Sequence, residues 1–401
     1  MSGTRKKRIV VVGAGIAGSL IASGLMDHPK IDLVCLERVG QDDHAEAGTG
    51  LNIGPNALKC LRAHLPERAD TLISNSLPWR RWTIALTNGR SLMDLALSDV
   101  ADNDGIRIRW AELYALLRAP LAKRILYDAE LTEASRGSGG LRVAWRDKRS
   151  GQPHQLERID LLIGGDGRYS LVRESFFGRD TPHFMGVCLY RLLFPAGADC
   201  PIGDYGQWFN GPNRLLAFRV PGDFVYCAGS LPIPSDGEIP AAIKAAGASR
   251  AAYTPKGAPP CAEVAYLIGA IERHHPQIHW ARLQEGSVRF RSKESGILLV
   301  GDSAHPMVPT LGQGATQAIE DACVVVEEVS EALARGAPLA DVPARIEGRR
   351  KKRVEFVMDF SREATDSMLA GADPVAGTAK KSVPEFRRKL AELYRDVPLP
   401  A

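Results

Sequence analysis

The sequence contains no apolar run long enough to span a lipid bilayer. The apolar run after the basic residues 1–8 reaches a glycine within four residues, which is too short for the core of a secretory signal peptide. Internal repeats and low-complexity tracts are absent too, which argues against a purely structural role. We therefore expect a cytoplasmic protein that does not contact membranes.

Cysteine is sparse and scattered. The seven cysteines lie at positions 35, 60, 188, 200, 227, 261 and 323, and no two of them form a C-x-x-C pair. This pattern argues against a zinc site or a disulfide framework and is compatible with a reducing compartment. No metal site is predicted.

An excess of charge of one sign is also lacking, because the formal net charge is only +4 over 401 residues. So mild a charge fits small anions, such as a nicotinamide dinucleotide or an aromatic acid, better than duplex nucleic acid. The dense basic run 349–353 lies in a helical pattern and is predicted to be a solvated helix face. No nucleic-acid partner is predicted, and the length favours two domains.

A glycine-rich loop near the start joins a buried-strand pattern (9–12) to a helical pattern (19–26). Gly13, Gly15 and Gly18 allow a tight turn, close approach of backbone to a pyrophosphate, and close packing of the helix. A second apolar run ends at Glu37, where a carboxylate can bond ribose hydroxyls. The unit predicts dinucleotide binding and leaves open whether the ligand is NAD or FAD.

A second loop, Gly165-Asp166-Gly167, follows the buried-strand pattern 159–163. A simple turn would need only one glycine beside the aspartate, so this loop also suggests a nearby phosphate. The glycine-rich stretch 48–57 would let backbone lie flat against a ligand.

A third loop, 301–314, follows the apolar run 297–300. Asp302 stands at the carboxyl end of a predicted strand, where open α/β sheets bind ligands. Gly312, Gly314 and the helix that follows them offer free backbone N–H groups to an electron-rich ligand.

The three loops, in this order, resemble those of the FAD-dependent aromatic hydroxylases, the single-component (group A) flavoprotein monooxygenases related to para-hydroxybenzoate hydroxylase. The resemblance implies that the first loop binds the ADP half of FAD, and that the second serves FAD and the nicotinamide cofactor. It places Asp302 on the ribityl chain and residues 309–314 along the isoalloxazine. Thr316 is a departure, because many relatives carry Asn there.

The resemblance implies a set of cofactor-binding residues. They are Gly13, Gly15, Ala17, Gly18, Glu37, Arg38, Gly50, Leu51, Arg109, Asp166, Asp302, Pro309, Gly312, Gly314, Ala315 and Thr316.

The implied fold class is α/β: a Rossmann-like FAD-binding domain with an inserted antiparallel-sheet substrate domain and a C-terminal helical tail. The predicted FAD-binding segments are 1–77, 107–180 and 285–340, and the predicted substrate segments are 78–106 and 181–284. The helical region 341–401 is expected to cap the domain interface or to form a homodimer contact.

The substrate is expected to lie against an antiparallel meander that the pattern predicts over 205–231. An arginine there would pair with a carboxylate, and a tyrosine could hydrogen-bond a ring substituent. Along 214–220 the even-numbered residues share one face and the odd-numbered ones the other, and the pattern does not tell which face meets flavin. The candidates for substrate binding are Tyr190, Arg191, Tyr205, Trp208, Phe218, Arg219, Tyr226 and Pro309.

The candidates for a catalytic role are Arg219, Tyr205, His305 and Asn52. His305 follows the third loop and invites assignment as a general base, although relatives often carry histidine there as part of the flavin-loop scaffold. Asn52 is of interest because some relatives that act on pyridine rings place a catalytic histidine at the matching position.

The resemblance implies that NADH or NADPH reduces FAD, and that O2 then gives a flavin C4a-hydroperoxide that hydroxylates an activated ring, in a phenolic or pyridine-type carboxylic acid. Other readings remain open: an epoxidase or tailoring oxygenase on a larger substrate, a flavin reductase acting on isoprenoids, or a flavin-binding redox regulator without turnover. An NAD-dependent dehydrogenase would leave the second and third loops unexplained.

Overall fold

A computed structural model describes residues 5–41, 43, 49–234 and 238–400. Gly48, in the stretch 48–57, lies outside the described residues. The strands are β1 (Lys7–Val12), β2 (Ile31–Leu36), β3 (Gly50–Ile53), β4 (Leu77–Trp79), β5 (Arg81–Leu86), β6 (Ser91–Ala96), β7 (Gly105–Arg109), β8 (Ile125–Leu126), β9 (Ala129–Gly137), β10 (Gly140–Asp147), β11 (Pro153–Ile159), β12 (Leu161–Gly164), β13 (His183–Pro195), β14 (Tyr205–Asn210), β15 (Asn213–Val220), β16 (Phe224–Pro232), β17 (His279–Glu285) and β18 (Ile297–Leu299).

The helices complete the chain between and after these strands. They are α1 (Ile16–Leu25), α2 (Pro55–His64), α3 (Pro66–Ser74), α4 (Trp110–Arg118), α5 (Leu171–Phe177), α6 (Ala241–Lys244), α7 (Ala248–Tyr253), α8 (Ala262–Arg273), α9 (Gln313–Arg335), α10 (Val342–Glu363), α11 (Pro374–Lys381) and α12 (Pro384–Arg395). Within the described residues, none of them has the length and apolarity needed to cross a membrane.

A parallel five-stranded sheet forms the first layer, in the order β18-β12-β1-β2-β8. Its strands are short runs of Val, Ile and Leu that are buried on both faces, as parallel strands between helices must be. Helices α1 and α9 pack against each other beside this sheet. The carboxyl ends of β1, β12 and β18 therefore lie at one edge, and each leads into one of the three glycine-rich loops.

A seven-stranded sheet forms the second unit, in the order β17-β13-β16-β15-β14-β5-β6. All its pairs are antiparallel except β14 with β5, and the predicted meander corresponds to β14, β15 and β16. One face carries Leu216 and Phe218, which join the main core, and the other carries Leu215 and Ala217, which pack with α7 and α8. One face of the sheet therefore belongs to the main core, and the other is covered by helices.

The arrangement is the predicted α/β class, with an antiparallel sheet inserted into a parallel one and helices α10 to α12 at the end. The segment limits drawn from the sequence stay a prediction. The basic run 349–353 is not a solvated face throughout, because Arg350 is fully buried between α9 and α10. Helical periodicity places one residue of such a run inward, and here that residue meets two buried acids.

Candidate active site

A cavity of about 350 Å³ lies between the carboxyl edge of the parallel sheet and one face of the antiparallel sheet. All three glycine-rich loops border it, through Gly15, Gly165, Gly167, Gly301, Asp302, Gly312 and Gly314. Gly50, Leu51 and Asn52 of β3, together with Pro309 and Ala315, line it too. A wall made so largely of backbone suits a long, flat, polar ligand.

The first loop has the tight construction that its glycines predict. Gly13 has φ +93°, and a Cβ added there would stand 2.4 Å from the Gly165 carbonyl oxygen. A Cβ on Gly18 would stand 1.9 Å from the Gly13 carbonyl oxygen. Helix α1 then begins after Gly15 with no side-chain cap and no acid in its first turn. Its first N–H groups and Ala17 therefore face the cavity and fit a pyrophosphate.

Glu37 is buried at the end of β2 and holds this loop in place. It accepts hydrogen bonds from the Ala14 N–H (2.7 Å) and the Val39 N–H (2.9 Å), and Arg118 lies 3.3 Å from it. The neighbouring Arg38 is exposed. Arg109 pairs with Glu112 (2.5 Å) and lies over the Phe224 ring, outside the residues that line the cavity.

The second loop is stabilised from within by Asp166. This carboxylate accepts hydrogen bonds from the Ser170 hydroxyl (2.5 Å) and the Val172 N–H (3.2 Å), which tie the loop to the start of α5. Burial raises the pKa of the Asp166 carboxyl above its ordinary range. The adjacent Arg168 lines the cavity, and sequence reasoning had not singled it out.

The third loop ends at Gly312, whose left-handed conformation (φ +65°) places it before α9. Helix α9 has no side-chain cap and no acid in its first turn, so its first N–H groups are free for a ligand beside Asp302. Thr316 does not line the cavity. Its hydroxyl is buried and accepts the Gly54 N–H at 3.0 Å, which joins α9 to the start of α2.

His305 is fully buried and does not reach the cavity. Its Nε2 lies 2.6 Å from Asp321 on α9, and Asp321 also accepts the Gly301 N–H at 2.9 Å. This places His305 among the residues that support the third loop. Asn52 does line the cavity, next to Gly312, where an added Cβ would meet its amide nitrogen at 2.8 Å.

The antiparallel sheet contributes one face to the cavity, and alternation decides which side chains reach it. The contributing residues are Leu189, Arg191, Tyr205, Arg214, Leu216, Tyr226 and Ala228. The face opposite holds Tyr190, which contacts Trp280, and Trp208, which packs beside α7 and α8. Tyr190 and Trp208 therefore lie away from the cavity, contrary to the expectation that they bind substrate.

Phe218 and Arg219 also take other places. Phe218 is fully buried behind the cavity wall, stacked on Tyr205 with ring centroids 5.6 Å apart. Arg219 points from the other face of β15 and pairs with Asp223 at the turn to β16. The structure thus does not bring the expected catalytic arginine to the cavity.

Arg214, and not Arg219, is the arginine of β15 that lies on the cavity wall. Only 5% of it is exposed, it lines the cavity beside Tyr205 and Tyr226, and burial lowers its pKa. Among the described residues, no carboxylate forms a salt bridge with it, and its Nε lacks a hydrogen-bond partner. A buried cation is costly unless it is paired, so this guanidinium is suited to bind a ligand anion.

Comparison with known proteins finds a matching domain family and several similar enzymes. Residues 270–361 match a family model described as an FAD binding domain. The chain is 29% identical to 3-amino-4-hydroxybenzoate 2-monooxygenase PtmB3 of Streptomyces platensis, over 96% of this chain and 94% of that protein. It is 25% identical to 6-hydroxynicotinate 3-monooxygenase of Bordetella bronchiseptica, over 80% of this chain and 82% of that protein.

The fold is similar to that of Klebsiella pneumoniae HpxO complexed with FAD and uric acid, with a TM-score of 0.80 and 19% identity, over 98% of this chain and 97% of that one. Three glycine-rich loops around one cavity, together with the matched FAD binding domain, indicate a flavin-binding protein. The resemblance drawn from the sequence is confirmed: the chain is an FAD-dependent aromatic-ring monooxygenase with NAD(P)H as its co-substrate.

Proposed function

We propose that the protein hydroxylates a phenol or hydroxypyridine ring that carries a carboxylate. The observation that carries this proposal is Arg214, a buried guanidinium on the cavity wall that no described carboxylate pairs with. A ring carboxylate would neutralise it through paired N–H···O bonds. Arg191, exposed at the same wall, adds positive potential for an incoming acid.

Tyr205 and Tyr226 serve as hydrogen-bond donors in this proposal. Burial raises the pKa of Tyr205 to about 12 and raises that of Tyr226, so both hydroxyls keep their protons at neutral pH. A protonated tyrosine donates to a phenolate or hydroxypyridine oxygen and stabilises its anionic form, which makes the ring electron-rich. Histidine is absent from the described residues that line the cavity, so a histidine base is not part of the proposal.

When bound, FAD supplies the oxygen chemistry after reduction by NAD(P)H. The loops would hold its phosphates at the start of α1 and its ring system near Pro309 and the start of α9. The protein's further task is to keep water away from the reacting atoms, and Leu189, Leu216 and Met307 provide apolar wall for this purpose.

The substrates named for two relatives support this choice. A 3-amino-4-hydroxybenzoate and a 6-hydroxynicotinate are both aromatic rings with one carboxylate and one hydroxyl. Such a molecule matches a cavity wall that presents one unpaired arginine and two protonated tyrosines. The cytoplasmic location and the homodimer contact remain predictions.

The first experiment records the absorbance spectrum of the purified protein and then NADH and NADPH oxidation with a panel of hydroxybenzoates and hydroxynicotinates. Each acid is paired with its carboxamide, which keeps the ring and removes the charge. We expect yellow protein whose NAD(P)H oxidation accelerates with one acid, not its amide, and a product heavier by one oxygen atom. Yellow protein whose NAD(P)H oxidation is accelerated by none of the acids would contradict the proposal and favour a larger substrate.

The Arg214→Gln substitution tests the arginine directly. We expect substrate affinity to fall about a hundredfold, since a buried charge pair loses one partner, while FAD stays bound. Arg219→Gln is the matched comparison, because it removes an arginine from the other face of the same strand. If Arg219→Gln lowered the affinity for the acid more than Arg214→Gln did, the sequence-based choice of Arg219 would be right.

A further inference from the structure

Three metal-binding side chains meet where α2 and α9 pack, away from the cavity. They are Cys60 and His64, one turn apart on α2, and Cys323 on α9, and their ligand atoms all lie within 4.8 Å of one another. Both cysteines are fully buried, and only 4% of the His64 side chain is exposed. No other group of three or more His, Cys, Asp or Glu within the described residues is so close.

The spacing matches a common coordination sphere. The distance from Cys60 Sγ to His64 Nδ1 is 3.8 Å. A tetrahedral ion bonded at about 2.3 Å to sulfur and about 2.0 Å to nitrogen holds such atoms roughly 3.5 Å apart. A metal ion would therefore need only a small inward movement of the two side chains.

The surroundings of the His64 ring select between two states. Nδ1 lies 2.9 Å from the Cys60 carbonyl oxygen, and Nε2 lies 3.1 Å from a Glu327 carboxylate oxygen. Both acceptors are satisfied by an imidazolium that donates from its two nitrogens, whereas a neutral ring that donates from Nε2 can turn its Nδ1 from the carbonyl oxygen to a metal ion. In the second state Glu327 accepts the Nε2 proton, as carboxylates beside metal-bound histidines commonly do.

Charge also favours a metal ion. Two cysteine thiolates balance a divalent cation, so the filled site would be electrically neutral in a buried region. Binding would release one proton from each thiol.

We propose that Cys60, Cys323 and Nδ1 of His64 bind a divalent thiophilic metal ion of the Zn²⁺ class. Three sulfur and nitrogen ligands are suited to such an ion. The Pro398 carbonyl oxygen, which accepts a hydrogen bond from the Cys60 thiol at 3.2 Å, lies beside this group. The ion would join α2, α9 and the end of the chain.

The site would stabilise the flavin cavity from behind. Helix α2 follows the strand that bears Asn52, and helix α9 follows Gly312, so each helix is joined to a segment that lines the cavity. Fixing the two helices to each other fixes the two walls that they begin. The ion would thus have a structural role, distinct from the oxygen chemistry.

The test measures metal content by mass spectrometry in full-length protein purified with FAD, under reducing conditions and without chelators. We expect about one zinc ion per chain, retained on dialysis. In Cys323→Ala and His64→Gln the content should fall at least about tenfold. Cys227→Ala removes a buried cysteine that belongs to no such group and should change nothing.

Loading with Co²⁺ provides a second readout that does not depend on stability. Tetrahedral thiolate coordination gives visible absorption bands at longer wavelength than flavin, and these should be lost in His64→Gln, which can still bond Glu327. Wild-type protein that carries no metal and takes up neither Zn²⁺ nor Co²⁺ would overturn the proposal. Finding a Cys60–Cys323 disulfide in protein purified under these conditions would overturn it as well.

Discussion

At the scale of single residues, Lys381 shows how buried charge is distributed behind the substrate wall. This lysine at the end of α11 is 7% exposed and donates to Ser367 at 3.1 Å. Burial, followed by repulsion from Arg214, lowers its pKa from 10.5 to about 8. A carboxylate bound at Arg214 would relieve this repulsion, so substrate binding should raise the pKa of Lys381.

The lowered pKa makes stability depend on pH. Between about pH 8 and 10.5 the folded protein releases this proton while the unfolded chain keeps it, so wild-type stability gains with rising pH. Lys381→Met should therefore stabilise the protein by about 3 kcal/mol at pH 7, and the gain should vanish by pH 10.5. Urea unfolding at several pH values measures it. Lys380→Met, on the exposed side of α11, should show no such trend.

At the scale of elements, the contact between α9 and the start of α2 depends on one hydroxyl. Thr316→Val removes the acceptor of the buried Gly54 N–H and keeps the shape of the side chain. We expect a loss of about 1–3 kcal/mol in the free energy of unfolding, with weaker FAD binding because α9 borders the cavity and Gly54 directly follows the cavity-lining strand β3. Thr316→Ser keeps the hydroxyl and should retain most of the stability and most of the FAD affinity. A loss in Thr316→Ser without one in Thr316→Val would show that the methyl group, not the hydrogen bond, matters.

The same scale shows what a sequence can and cannot predict. Glycine spacing after apolar runs predicted the three loops, because a backbone that touches a ligand tolerates few other residues. Alternation predicted the two faces of β15, but the choice between Arg214 and Arg219 depended on α7 and α8 covering one of them. Those helices are distant in sequence, so no local pattern carried the answer. The Cys60, His64 and Cys323 group was missed for the same reason.

At the scale of the whole molecule, a buried ionic network joins the C-terminal helices to the flavin loops. Arg350 on α10 donates to Asp321 (2.8 Å) and to Glu320 (2.6 Å). Burial raises the pKa of Asp321, but His305 and Arg350 outweigh it and bring the value down to about 2. Asp321 therefore stays ionised and holds the Gly301 N–H in the third loop.

Replacing Arg350 by Met should destabilise the fold by about 3–5 kcal/mol, because two buried carboxylates lose a shared cation. Chemical denaturation measures the loss, and FAD retention reports whether the third loop moves with it. Lys351→Met, an exposed neighbour in the same basic run, should stay within about 0.5 kcal/mol of wild type. A similar effect of both substitutions would mean that the run acts through net charge.

The one parallel pairing in the antiparallel sheet also has a consequence for how the protein is made. The β5–β6 hairpin emerges from the ribosome long before β14, its partner, has been synthesised. The parallel sheet is likewise incomplete until β18 has been synthesised, and β18 follows the whole antiparallel unit in the chain. A nascent chain therefore carries unpaired strand edges in both units until residue 299 has emerged, and pairing over such separations is slow. This chain should depend on chaperones during synthesis more than its short loops would suggest.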